Sequence, residues 1–410
     1  MTPGDGPAVS GLRFVSRIGP MRASALLLLP LLSACTCEPF TDGLVFTCHD
    51  TADCAPGFLC QQGVCLEATR LDGGDDGGAP DAGAHEDGGE PDGGGDAGAW
   101  WDEAWAHRQS VLIFTTSAAT GPDYAVRVEV DHAALVDAGL ARADGHDLRV
   151  VCGGEERDRV VDTGHGWNLA STRVWFRAPR ALPANSVNRE CFLYYGASDA
   201  PAPPATPSQV FLLFDGFESG DLSGWNQEQP GLWQLDSSQT HGGSAALHYP
   251  PEAAGRRELS ALPALHVADV LVEAWFSFGL VSQDMALRLR VTPGSNSYET
   301  SHQTTGGWNL AKVVDTTWQQ LLPPSGSALV TPEWTRVGFA LHGTRASVFI
   351  GDEVRIPASG GFDLGADFDA GNVGINKYLV RADGGGVWID DLLVRPWVDP
   401  EPTVQLGPRE

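Results

Sequence analysis

The sequence predicts an all-β protein. It reads as two β-sandwich, jelly-roll-like domains that follow an N-terminal export signal, a small disulfide-rich module and a disordered acidic linker. Short runs with period-two alternation recur, each bounded by Gly, Pro, Asn or Asp. Turn formers are abundant, with 50 Gly and 28 Pro in 410 residues. Aromatic residues are plentiful relative to basic ones, at 13 Trp and 6 Tyr against 26 Lys+Arg. The length allows two or three domains, each with a core of useful size.

The formal net charge is −27. No basic patch exists to release counterions from phosphates, so nucleic acid is excluded as a partner, as is electrostatic docking on anionic lipid. The acidity bears on solubility and cation accumulation and leaves the fold undetermined.

Residues 1–34 form the signal. An apolar run from Ala25 to Leu32 follows Arg22 and is too short for a stable membrane span. The chain starts at Met1 or at Met21, and the apolar run is the same in both cases. The run ends in Leu32-Ser33-Ala34-Cys35, which resembles a bacterial lipobox. That resemblance implies that Cys35 is lipidated and becomes the mature N-terminus, anchoring the chain to the envelope. Ordinary cleavage near Ala34, with Cys35 in a disulfide, is the competing reading. Thr36 in place of Asp after the lipid cysteine resembles an outer-membrane sorting signal.

Residues 35–66 are cysteine-dense. Cys48, Cys54, Cys60 and Cys65 are spaced C-x5-C-x5-C-x4-C, and so short a segment needs covalent staples. Export makes disulfides the default, and four cysteines allow three connectivities. A zinc site is disfavoured because no C-x2-C knuckle is present. The stretch resembles small disulfide modules near the N-termini of myxobacterial surface lipoproteins, and that resemblance implies Cys48–Cys60 and Cys54–Cys65. Cys37 is left over. Residues 67–98 are Gly, Asp, Ala and Pro without apolar period and read as a tether spanning about 30 Å or more. The DGGDDGG run lacks the flanking helices of a calcium loop.

Residues 99–200 are the first β-sandwich. Tyr124, Val126, Val128 and Val130 alternate with Arg127 and Glu129. Strands are also predicted at Ser110–Thr116, Asp147–Cys152, Thr172–Ala178 and Asn188–Tyr195. Cys152 and Cys191 both point inward by parity, so the bridge Cys152–Cys191 is predicted, worth about 4 kcal/mol for a loop near 40 residues. The opening Trp101-x-x-x-Trp105-x-x-Arg108, the stretch Ala143 to Val150 around Asp144-Gly145 and Asp147, and the closing Tyr194-Tyr195-Gly196 resemble a β-sandwich domain of unknown function in bacterial and archaeal surface proteins. The resemblance brings no activity with it. Its usual neighbours are concanavalin A-like, laminin-G-like jelly rolls.

Residues 201–208 are a Pro-rich spacer. Residues 209–398 form the second domain, with clean alternation at Val270–Phe278 and Met285–Val291 and a hairpin across Ser347–Ile356. Phe217-Glu218-Ser219-Gly220 through Trp225 at its start and Ile389-Asp390-Asp391-Leu392 near its end resemble concanavalin A-like and carbohydrate-binding jelly rolls. Residues 399–410 read as a tail.

The chemistry is sparse. No G-x-S-x-G elbow is present, and His165, His241, His248 and His302 are scattered. The strand where concanavalin A-like hydrolases carry E-x-D-x-x-E has Glu273 alone, so no catalytic residue is assigned. In such jelly rolls a calcium ion often ties the opening segment to the last strand. Asp215, Glu218, Asp390 and Asp391 could supply oxygens to a structural Ca²⁺, although strand parity puts Asp390 and Asp391 on opposite faces. Tyr298, Trp308, Trp318 and Tyr378 are candidate sugar-stacking residues, whereas Trp225, Trp275 and Trp388 read as packing. The expected function is a non-catalytic, lipid-anchored surface protein that binds polysaccharide or another envelope ligand. A structural envelope protein with protein partners is the second expectation, and an extracellular glycoside hydrolase is the third.

Overall fold

A computed structural model describes residues 100–250, 257–279, 285–302, 307–325, 333–352, 354–377 and 386–410, with the backbone of two short strands, β1 (Phe58–Gln61) and β2 (Val64–Glu67). These two pair antiparallel with Cys60 opposite Cys65. The signal, Cys35, the linker, Tyr378 and the bridges expected of Cys48, Cys54, Cys60 and Cys65 lie outside the described residues. Residues from Val45 to Glu410 belong to one compact unit.

The first sandwich contains β3 (His107–Phe114), β4 (Ala125–Val130), a one-turn helix α1 (His132–Asp137), β5 (Arg149–Cys152), β6 (Glu155–Arg157), β7 (Arg159–Val161), β8 (Thr172–Arg177) and β9 (Val187–Tyr195). The inward alternation of Tyr124, Val126, Val128 and Val130 meets Val174 and Phe176 of β8 and Val150 and Leu193 of the facing sheet. Cys152 and Cys191 are directly opposite on β5 and β9 and form the predicted disulfide in that core.

The residues of the W-x-x-x-W, D-G-H-D and YYG stretches hold the first sandwich together. The Trp105 indole N–H donates to the Asp147 carbonyl at 2.6 Å, and the Trp101 amide donates to the Tyr194 hydroxyl at 3.1 Å. Asp147 accepts from the amides of Arg142 and Gly196, so the D-G-H-D turn is tied to the end of the YYG strand. Gly145 has φ +65, and a Cβ there would sit 2.4 Å from the Trp167 ring, so this turn requires glycine.

Two boundaries differ from expectation. The 399–410 segment is no tail: Thr403–Arg409 is a strand that pairs with β3 and completes the sheet after the jelly roll has been traversed. Without it β3 would be an edge with unpaired backbone groups. The jelly roll is thus inserted between β9 and the last strand. The 201–208 spacer is also fixed. The Arg159 amide donates to the Pro204 carbonyl at 3.1 Å, and the Thr206 amide donates to Asp158 at 2.8 Å. Helix α2 (Pro207–Val210) then buries Val210, with Phe211, against Trp175 and Leu393.

The jelly roll comprises β10 (Leu213–Asp215), β11 (Trp225–Gln227), β12 (Gln234–Asp236), β13 (Ala246–Tyr249), β14 (Arg257–Ala261), β15 (Val270–Phe278), β16 (Met285–Thr292), β17 (Asn296–His302), β18 (Trp308–Val314), β19 (Thr317–Ser325), β20 (Thr335–His342), β21 (Arg345–Ile350), β22 (Val354–Ile356), β23 (Phe362–Asp363), β24 (Asn372–Lys377) and β25 (Val387–Pro396). The closing strand of the chain is β26 (Thr403–Arg409). One sheet, β12–β13–β25–β15–β20–β21–β22, carries β10 beside β25 and β23 beside β21. Its outer face docks on β4–β8–β7 of the first sandwich, where Trp175 meets Phe211 and Leu393. We refer to it as the seam sheet. The other, β11–β14–β24–β16–β17–β18–β19, is the distal sheet. Their inner faces share one apolar core that includes Val272, Phe276, Leu287 and Ile375.

Deleting residues 399–410 should cost about 3 kcal/mol, because Val404 and Leu406 pack on the first core at roughly 1.5 kcal/mol each. Chemical denaturation of the truncated chain checks this, and an unchanged midpoint would restore the tail reading. Replacing Cys152 and Cys191 together by Ala should cost about 4 kcal/mol in the same assay.

Candidate functional site

The outer face of the distal sheet carries polar side chains in register. Ser260, Gly374, Arg288, Glu299, Ala311 and Gln320 lie opposite one another across six strands. The neighbouring row contains Glu258, Asn376, Ala286 and Ser301, and Ser301 hydrogen-bonds Asn309 through its amide and its hydroxyl, both at 2.9 Å. Their strand neighbours Leu259, Ile375, Leu287, Tyr298 and Leu310 point into the core, so this arrangement follows from period-two alternation.

Arg288 is fully buried at the centre of the face. It pairs with Glu258, lies 3.6 Å from Glu299 Oε2, and donates to Ser297 Oγ at 2.6 Å and 2.9 Å. The Ser295 hydroxyl adds a 3.0 Å bond to Glu258. Asn376 is fully buried, and among the described residues neither of its amide atoms nor the Asn309 amide nitrogen has a hydrogen-bond partner. Buried amides in this state are uncommon. Beside them a cleft of about 360 Å³ is lined by Asn226, Glu228, Glu258, Ser260, Ser295 and Asn372, among others.

Trp318 stands at the far end of the same face, on edge strand β19. It is 39% exposed, and its indole N–H donates to Glu299 Oε1 at 2.5 Å. The ring is thus held at a fixed angle while remaining open to solvent. Two other candidates are corrected. Tyr298 and Trp308 are fully buried, Tyr298 donating to the Gly365 carbonyl at 2.8 Å and Trp308 packing against Phe276. Both belong to the inward parity of their strands, where no sugar reaches them. Trp275 and Trp388 pack as expected, but half-buried on the outer face of the seam sheet and not in the core. Trp275 donates to Thr163 Oγ1 at 2.9 Å across the seam, and Trp388 stacks on His248. Sequence reasoning missed Glu258, Arg288, Glu299, Asn309 and Asn376. Their signal was present as the polar half of each alternating strand, but the strand order that aligns them was not.

The expected calcium ligands do gather, around the 241–245 turn, but their oxygens are committed to donors. Asp215 accepts from the Phe217 amide and the Trp225 indole at 2.7 Å and 2.6 Å. Glu218 accepts from the amides of Ser244 and Ala245, and Asp390 from the amides of His241, Gly242 and Asp391. Asp391 Oδ2 lies 2.7 Å from His241 Nδ1. Calcium takes six to eight oxygens with free lone pairs, and these residues do not fit it. Among the described residues no group of three or more His, Cys, Asp or Glu is placed to hold a metal ion. The parity expectation is corrected as well. Asp391 has φ +46 in a β-bulge opposite Ala274, so Asp390 and Asp391 both turn towards the same loop.

Burial, and then the charge of Asp391, push the Asp390 carboxyl up to about 6. Its proton is held more tightly in the folded state than in the unfolded chain. The stability tied to it is full below about pH 4 and is lost as the pH rises through about 6. A ¹³C-carboxyl NMR titration should show one aspartate with a midpoint about 6, moving down in Asp391→Asn. A midpoint near 4 in the unmodified chain would remove this account.

No protein-family profile matches the chain, and no curated protein matches it. Solved structures with partial likeness include the carbohydrate binding module CBM66 from Bacillus subtilis, at 12% identity over 42% of this chain and 95% of that one, TM-score 0.33. A Bacteroides ovatus family GH16 protein from a mixed-linkage glucan locus, in complex with a glucan product, is 12% identical over 45% of this chain and 99% of that one, TM-score 0.36. A carbohydrate esterase of the Shiga toxin-encoding bacteriophage phi24B is 16% identical over 46% and 99%, TM-score 0.32.

Proposed function

We propose that this chain is a surface-displayed binding or adhesion protein, anchored to the outer membrane through a lipid on Cys35, that recognises carbohydrate on the outer face of the distal sheet without transforming it. The observation that carries the reading is Trp318: an exposed indole on a face rich in polar side chains, held by a buried glutamate. Pyranose C–H groups pack on such a ring, and polar side chains fix the hydroxyls. The cleft supplies those polar groups through Asn226, Glu228, Ser260 and Asn372. The tether at residues 67–98 and the single lipid would hold the module near the surface without ordering it.

Hydrolysis is the second reading, favoured by Glu258 and Glu299 on one face. A glycosidase places its sugar between two carboxylates. Here Arg288 contacts both, so a guanidinium fills that position. This supports binding over cleavage.

On a glycan array, the full chain should retain a polysaccharide ligand equally well with calcium and with chelator. Trp318→Ala should weaken retention about tenfold, the scale of a contact worth about 1.4 kcal/mol, in a chain that remains folded and melts somewhat lower because buried Glu299 loses a donor. Undiminished retention by the variant would take Trp318 out of the site. Absence of any glycan binding would move the reading to protein partners in the envelope. Cleavage of a bound polysaccharide, abolished by Glu258→Gln, would establish the hydrolase.

A further inference from the structure

The first sandwich has a concave site of its own, independent of the distal sheet. A cleft of about 380 Å³ opens between β4 and the segment leading into β26, lined by Tyr124, Arg127, Glu129, Trp175, Glu401 and Thr403, among others. That volume lies within the range of about 300 to 1,000 Å³ typical of small-molecule sites. Its walls are rigid. The Trp175 indole N–H is held by Asp162 at 3.0 Å, and the Tyr124 hydroxyl donates to Glu401 at 2.9 Å.

The arginines around this cleft are matched, with one exception. Arg173 pairs with Glu129 at 2.8 Å and with Asp352 at 2.7 Å. Arg395 pairs with Glu401 at 2.5 Å, Arg177 with Asp123 at 3.2 Å, and Arg336 with Asp162 at 3.2 Å. Arg127 lies with its guanidinium 5.4 Å from the centre of the Trp175 ring. Among the described residues it has neither a side-chain hydrogen bond nor an ion pair. The nearby carboxylates are already engaged, Glu129 by Arg173 and Glu401 by Arg395 and Tyr124. Loss of water around the guanidinium, followed by the charges of Arg173 and Arg395, lowers its pKa. Arg127 is nevertheless exposed at the mouth of the cleft, so a ligand can reach it.

We propose that this cleft binds a polyhydroxy carboxylate, of the kind presented by a uronic acid residue of an acidic polysaccharide. The carboxylate would take the two parallel N–H bonds of the Arg127 fork and supply the counter-charge this guanidinium lacks. The ligand hydroxyls would donate to the oxygens of Glu129 and Glu401 and meet Thr403. A neutral sugar leaves the cation unmatched. A bare carboxylate such as acetate has no hydroxyls for the lone pairs that Glu129 and Glu401 keep beyond their bonds to Arg173, Arg395 and Tyr124.

The test is titration calorimetry of the full chain with sodium glucuronate, glucose and sodium acetate. The expected result is binding of glucuronate, at least tenfold weaker binding of glucose and of acetate, and loss of glucuronate binding at high salt. Arg127→Gln should weaken glucuronate binding tenfold or more. Its melting temperature should change little, since it breaks no hydrogen bond and the lost contact with the Trp175 ring is offset by the removed repulsion from Arg173 and Arg395. Trp318→Ala should leave glucuronate binding intact. No heat with glucuronate, equal affinity for glucose or acetate, or undiminished binding by folded Arg127→Gln would each overturn the proposal. Loss of binding in Trp318→Ala with retention in Arg127→Gln would also overturn it, by placing the ligand on the distal sheet.

Discussion

Asp162 is the knot on which the arrangement of the two sandwiches depends. It is buried, and it accepts from the Trp175 indole and the Gly164 amide of its own domain and from Arg336 of the jelly roll. Burial pushes its carboxyl up, yet Arg336, Trp175 and Gly164 outweigh that push and hold it below the usual carboxylate range. A buried carboxylate that lost its cation would cost about 3 to 5 kcal/mol, so the seam tolerates little rearrangement. The pair also fixes its surroundings. Arg336 reaches on to Asp352, which binds His165 and Arg173, so one network runs from β20 and β21 to β7 and β8.

Docking at the seam divides the jelly roll into unlike halves. The outer face of the seam sheet is covered by Trp175, Val210 and Phe211 around Leu393, with Arg395 between Trp175 and Trp397. A cleft of about 390 Å³ remains at its margin, lined by His165, Trp275, Arg336 and Asp352, among others. The outer face of the distal sheet carries Arg288, Glu299, Asn309 and Asn376, all fully buried. The return of β26 to β3 has a parallel effect, because it brings Glu401 beside Tyr124 and Arg395 and thereby walls the cleft around Arg127.

Alternation in the strands made the core legible. Tyr124 to Val130, Val270 to Phe278 and Met285 to Leu289 point where period two places them, and Cys152 faces Cys191 for the same reason. The exceptions are bulges. Asp391 and Arg290 both have positive φ, at +46 and +52, each beside a register shift. Arg290, expected beside Arg288, turns instead to the carbonyls of Ala268, Phe368 and Gly343. A bulge is a property of two strands and their register, which one strand's sequence does not contain.

The sequence by itself determined the all-β class, the positions of the strongly alternating strands, their inward faces and the Cys152–Cys191 bridge, because each follows from local alternation and turn chemistry. It also offered Tyr298, Trp308, Trp318 and Tyr378 as aromatic candidates for contact with a ligand, without separating them. The tertiary structure alone separated Trp318 from Tyr298 and Trp308, since parity becomes inside or outside only when a sheet has a partner. It decided, too, that residues 399–410 close the first sandwich and that Glu258, Arg288 and Glu299 meet on one face. Those residues come from three strands brought side by side by long-range pairing, and no local pattern encodes that neighbourhood.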